Sequence, residues 1–207
     1  METKISNSIP KINGLVLTGG NSTRMGTSKS KMDWHGKEQQ YYVADLLSKF
    51  CDRVYISCTE NQVNSIDKNY SPLPDSFIGL GPMSGILSAF RLDPNVAWLV
   101  LACDLPLADE EIISELIAER KPKYMATAFE NELDSFPEPL ITIWEPKSYR
   151  VLLSFLSEGI ICPRKVLRNN EINLITPKHS EKLFNTNTPE DAAMAKKILS
   201  KNETRYS

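Results

Sequence analysis

The run Ala97-Trp98-Leu99-Val100-Leu101-Ala102 is the most continuous apolar stretch of the chain, and it restricts the fold more than any other feature. Six apolar residues without polar alternation suit a strand covered on both faces. Such a strand belongs in the middle of a mostly parallel sheet with helices packed above and below it. Its continuation, Cys103-Asp104-Leu105-Pro106, sets a carboxylate where the strand ends. In open α/β sheets ligands gather at the carboxyl ends of the strands, so Asp104 is a candidate ligand for a metal ion. Cys103 beside it reads as a small buried apolar side chain.

A second short apolar run, Leu15-Val16-Leu17, breaks at Gly19-Gly20 and is followed by Arg24 and Lys29 in a segment of small polar residues. Paired glycines let a backbone approach a ligand closely, and freed N–H groups with two nearby cations suit a dense anion. The spacing is not that of the Walker loop, because Gly26 is followed by Thr27-Ser28-Lys29, and no G-x-G-x-x-G fingerprint exists. Residues 39–50 place Val43, Leu46, Leu47 and Phe50 on one helical stripe. Residues 53–58 read as the next strand, which completes a β-α-β unit with its right-handed crossover. Residues 59–76 read as a polar connection in which Pro72 and Pro74 prevent regular structure.

Gly81-Pro82 reads as a turn feeding a helix whose Ile86, Leu87 and Phe90 face inward, with first-turn N–H groups available to an anion or a base. A helix over 109–120 buries Ile112, Ile113, Leu116 and Ile117, and its acidic start complements the helix dipole. Strands at 123–129 and 140–144 flank an acidic, proline-containing link, expected to form one wall of an acceptor site. Pro146 opens a helix carrying Tyr149, Leu152, Leu153 and Leu156 on one stripe, and Gly159 ends it. Pro163 starts a short basic helix with Arg164, Lys165 and Arg168. Thr188, Pro189 and Asp191 suit the N-cap, N1 and N3 positions of a last helix.

The 207 residues form one domain by expectation, with residues 1–11 a loose tail and residues 12–207 the folded part. A hydrophobic content of 41% and a formal net charge of −2 exclude a disordered or nucleic-acid-coating chain. Four scattered cysteines without a C-x-x-C pair, and only two histidines, argue against zinc and fit reduced thiols in a cytoplasm. No run approaches the roughly 20 apolar residues of a membrane helix, and no signal-peptide core precedes the first strand. His35 and His179, like Lys31 and Lys37, read as surface residues.

Four separated motifs, Leu17-Thr18-Gly19-Gly20 with Arg24-Met25-Gly26 and Lys29, Gly81-Pro82-Met83-Ser84-Gly85, Asp104-Leu105-Pro106, and Asn185-Thr186-Asn187-Thr188-Pro189-Glu190-Asp191, occur in fixed order. Together they resemble the MobA-type nucleotidyltransferases, the molybdenum cofactor guanylyltransferases, over about residues 12–199. The resemblance implies a three-layer α/β/α Rossmann-like nucleotidyltransferase fold with a predominantly parallel mixed sheet. It implies Leu17, Thr18, Gly19, Gly20, Arg24, Lys29, Gly81 and Gly85 around the nucleotide. It also implies Asp104 on Mg²⁺, and Asn185 and Asn187 near the acceptor or metal; Lys29, Arg24 and Asp104 would carry the catalysis. Ser28 stands where the family commonly has Asp, and Thr18 where it has Ala.

What the resemblance implies is transfer of GMP from GTP to the terminal phosphate of molybdopterin, with molybdenum cofactor insertion proteins or molybdoenzymes as recipients, and without nucleic acid or membrane. Gly19-Gly20 leans towards GTP, because cytidylyl-transferring relatives tend to carry Ala-Gly there. CTP on the same acceptor, a sugar phosphate as acceptor, and a nucleotide-binding subunit without catalysis are the alternatives. The chemistry asks two anions to meet, so positioning and charge neutralisation replace a protein nucleophile. The chain accordingly has no Ser/His/Asp or Cys/His constellation.

Overall fold

The computed structural model describes residues 9–19, 29–132 and 134–203. Most of the expected tail, residues 1–8, lies outside them. In chain order the elements are β1 (Ile12–Leu17), α1 (Gln39–Ser48), β2 (Val54–Cys58), β3 (Ser71–Pro74), α2 (Pro82–Leu92), β4 (Ala97–Ala102) and α3 (Glu110–Ala118). There follow β5 (Ala126–Glu130), β6 (Pro137–Trp144), α4 (Ser148–Ser157), α5 (Pro163–Arg168), β7 (Asn173–Ile175) and α6 (Pro189–Glu203). The strands form a seven-stranded sheet in the order β3-β2-β1-β4-β6-β5-β7. β6 runs antiparallel to β4 and β5, while β1/β2, β1/β4, β2/β3 and β5/β7 pair in parallel. This is the expected mixed, predominantly parallel sheet of an α/β/α fold.

Every residue of β4 is buried, and its side chains alternate between the two layers. Leu99 and Leu101 join Val43 and Leu47 of α1 and Ile112, Ile113 and Leu116 of α3 on one face. Trp98 and Val100 meet Ile86, Leu87 and Phe90 of α2 and Leu152 of α4 on the other. Full burial of a side chain of this size stabilises by about 1.5–3 kcal/mol, and a one-residue slip of register would exchange the two layers. Apolarity on both faces therefore fixes β4 at the centre, and its carboxyl end with it.

Three expectations are revised. Pro72 and Pro74 do not prevent regular structure: they lie in β3, an edge strand. Proline is tolerated there because an outward-facing position needs no N–H. The link before β6 is shorter than expected, since Pro137 already pairs with Glu130. His35 is half-buried rather than a surface residue: its Nε2 meets the carbonyl of Pro106 at 2.9 Å, and its ring stacks on Tyr42 with centroids 3.7 Å apart.

Candidate functional site

Neighbouring parallel strands put the ends of β1 and β4 side by side. Cys103 N–H donates to the Leu17 carbonyl at 2.9 Å, which carries the ladder just past both strands. The chain then turns, Leu105 N–H reaching the Ala102 carbonyl at 3.3 Å, and Asp104 is left at the rim. Gly19 has φ +79°, a left-handed conformation that favours glycine. A Cβ there would stand 3.7 Å from Asp104 Oδ1, so any larger side chain would grow into the space before the carboxylate.

Two separate segments converge on Asp104. Lys29, from a short 3₁₀ turn at Lys29–Lys31, sets its Nζ 3.1 Å from Asp104 Oδ2 and donates to Asn187 Oδ1 at 2.8 Å. The segment before α6 docks on the Asp104 backbone, with Thr186 N–H and Oγ1 both donating to its carbonyl, at 2.9 and 3.2 Å. Among the described residues Asp104 Oδ1 is buried and unpartnered, and so is Asn185 Oδ1, one residue before Thr186. Burial raises the carboxyl of Asp104 above the ordinary range, and the Lys29 ammonium pulls it back in part. An orphaned carboxylate oxygen is costly unless a cation or donor completes it. A carboxylate oxygen of this kind is a hard donor that suits a divalent cation carrying phosphate and water as its other ligands.

A cleft of about 430 Å³ runs from this point along the ends of β1 and β2. Leu17, Thr18, Gly19 and Gly81 are among its lining residues. Thr18 Oγ1 donates to the Ser57 carbonyl at 2.8 Å, which ties the β1 end to β2. Ser57 Oγ donates to Asp75 Oδ1 at 2.8 Å, and burial raises the Asp75 carboxyl while that hydrogen bond opposes the rise. Gln62 Oε1 accepts from Thr59 N–H at 2.9 Å across a 3₁₀ turn that also borders the cleft. The far end therefore offers a carboxylate acceptor and an amide, and the near end a lysine beside a half-satisfied carboxylate.

The expected residues divide clearly. Leu17, Thr18, Gly19, Gly81 and Asp104 line the cleft, and Lys29 and Asn187 meet at its end. Gly85 is buried one turn into α2, where its missing side chain lets the helix lie on Leu17 and Ser57. Gly20 and Arg24 lie outside the described residues. Ser57, Gln62 and Asp75 were not anticipated: each is a single polar residue in a stretch that reads as strand end and connection. A larger hollow of about 670 Å³ beside Lys123, Lys147 and Arg150 lies at the opposite end of the sheet, because Trp144 of β6 pairs with Trp98 at the start of β4.

Comparison with known proteins agrees with this fold. The model of the MobA-like NTP transferase domain matches residues 14–180. The molybdenum cofactor biosynthesis bifunctional protein of a Synechocystis species is 37% identical over 179 residues, 86% of this chain and 52% of that protein. The chain thus spans about half the length of that relative. The molybdenum cofactor guanylyltransferase of Shewanella frigidimarina is 26% identical over 189 residues, covering 87% of this chain and 93% of that one. The crystal structure of molybdopterin-guanine dinucleotide biosynthesis protein A from Archaeoglobus fulgidus matches with a TM-score of 0.77 at 25% identity, over 91% of this chain and 99% of that one.

Proposed function

Because the chain belongs to the MobA-like NTP transferase family, we propose that it transfers GMP from GTP to the terminal phosphate of molybdopterin, forming molybdopterin guanine dinucleotide. The observation that carries the reading is the convergence of Lys29, Asn187 and the half-satisfied Asp104 at the end of a nucleotide-sized cleft. Two relatives named for molybdenum cofactor synthesis and guanylyl transfer support it. An oxygen of the acceptor phosphate attacks the α-phosphorus in line. The new P–O bond forms as the α–β bridging bond breaks, and its electron pair leaves with pyrophosphate.

In this reading Lys29, with Arg24, neutralises the triphosphate and the departing pyrophosphate, and Gly19 and Gly20 let the backbone approach it. Asp104, with Asn185 and Asn187 in the adjoining segment, would hold Mg²⁺, which would supply Lewis-acid polarisation and charge neutralisation to the phosphates. Gly81 and Gly85 shape the α2 start beside the nucleotide. Asp75 supports GTP over CTP: a carboxylate acceptor can receive both N1–H and N2–H of guanine, whereas cytosine brings it a single amino group. We further assign the reaction to a single domain over residues 12–207, acting in the cytoplasm and handing its product to cofactor insertion proteins or a molybdoenzyme. No described helix is long and apolar enough to cross a membrane.

The test is incubation of the purified protein with GTP or CTP and Mo-molybdopterin, following pyrophosphate and the dinucleotide. Turnover with CTP and none with GTP overturns the guanylyl assignment. Asp104→Ala is expected to keep the fold and lose cation-dependent turnover by roughly 10²–10³-fold, the scale of removing one preorganised charge-stabilising group. Unchanged turnover takes Asp104 out of the mechanism.

A further inference from the structure

Asn187 reaches Lys29 from a turn outside any regular element. A short amide side chain on irregular backbone holds one direction only when the backbone beneath it is pinned. Here it is pinned from both sides. Thr186 fixes the segment to the Asp104 carbonyl. Beyond it, the N–H groups of Asn187 and Thr188 both donate to Asp191 Oδ2 at 2.9 Å, and Asp191 N–H donates back to Thr188 Oγ1 at 3.1 Å.

A helix-capping box needs only the reciprocal bonds between Thr188 and Asp191. The bond from Asn187 N–H reaches one residue further out, to the residue whose side chain carries the lysine, and capping does not require it. We propose that Asp191 is a positioning residue for nucleotidyl transfer, its carboxylate locking the turn at 187–188 so that Asn187 Oδ1 holds Lys29 Nζ beside Asp104. This rests on the transferase reading above. The same N–H donors lower the Asp191 carboxyl below its ordinary range, the one from Asn187 most, so the acceptor is ionised at neutral pH.

Three variants separate positioning from capping. Asp191→Ala removes both functions, Asp191→Asn keeps an oxygen for both N–H donors, and Thr188→Ala removes the hydroxyl cap while leaving Asp191 on Asn187. Thermal melting, GTP titration calorimetry with and without Mg²⁺, and steady-state transfer are read on each. Asp191→Ala is expected to lose roughly ten- to a hundredfold in kcat and to bind Mg·GTP correspondingly more weakly, the usual scale for a misplaced catalytic group. Asp191→Asn should recover most of both, and Thr188→Ala should melt earlier yet keep kcat close to wild type. An Asp191→Ala protein no worse in kcat and affinity than Thr188→Ala overturns the positioning role. A wild type that binds Mg·GTP without transferring it removes the transferase reading alone, since calorimetry still decides whether Asp191 orders the site. A wild type that binds no Mg·GTP removes both.

Discussion

Asp75 carries the sharpest consequence at the scale of single residues. Burial raises its carboxyl above the ordinary carboxylate range, so the native state holds this proton more tightly than the unfolded chain does. The resulting stability is full below the unfolded value and is lost as pH rises through the higher folded one. Asp75→Asn lacks that loss, so its stability relative to wild type should climb as pH rises from about 4 towards neutrality. Urea unfolding at a series of pH values measures this, and a pH-independent difference would count against burial as the cause. The same substitution should weaken GTP binding by roughly 1.5–3 kcal/mol, the range of a hydrogen bond to a charged group. Gly85 is the opposite case, a residue needed for what it lacks. A Cβ there would come 2.6 Å from Leu17 Cδ2 and 2.7 Å from Ser57 Oγ. Gly85→Ala should therefore cost about 1–3 kcal/mol in urea unfolding. The contiguous half of the site was legible in sequence because glycines, lysine and Asp104 sit in motifs. The far end of the cleft was not, since Ser57, Gln62 and Asp75 meet only after the chain has folded.

Among the elements, the junction of α3 with β6 is held by charge. Arg120 Nε and Nη2 donate to Glu145 Oε1 and Oε2 at 2.7 and 2.9 Å, with side chains 8% and 1% exposed. Arg120→Met strands a buried carboxylate and should cost about 3–5 kcal/mol, whereas adding Glu145→Leu should restore a large part of it. Calorimetric melting of the single and double variants checks the sign of that recovery. The helices were readable because Ile86, Leu87 and Phe90, or Val43 and Leu47, stand three and four residues apart, the spacing of one helical face. β7 was not readable, as three residues are too few to display a period. β3 was misread for a different reason: proline forbids a central strand, but a sequence does not reveal which strand will lie at an edge.

For the whole molecule, the sheet sorts the thiols by depth. Cys162 is exposed, while Cys58 and Cys103 are buried. Burial pushes the Cys58 thiol up to about 11 and that of Cys51 to about 12, and raises Cys103 further still. Alkylation near neutral pH, followed by mass spectrometry, should mark Cys162 first. Cys58 borders the cleft, so bound GTP should slow its labelling further; labelling indifferent to GTP would place the nucleotide elsewhere. The reversal of β6 also matters at this scale, because it brings Leu140 to the same end of the sheet as Asp104, and into the cleft wall. The prolines of β3 have a last effect, on neighbours rather than on the fold. Pro72 and Pro74 leave that rim without two of the donors a foreign strand would need, and the opposite rim is only three residues long. A chain with a centre as adhesive as Trp98 to Leu101 can thus crowd among its own copies without offering them a template for polymerisation.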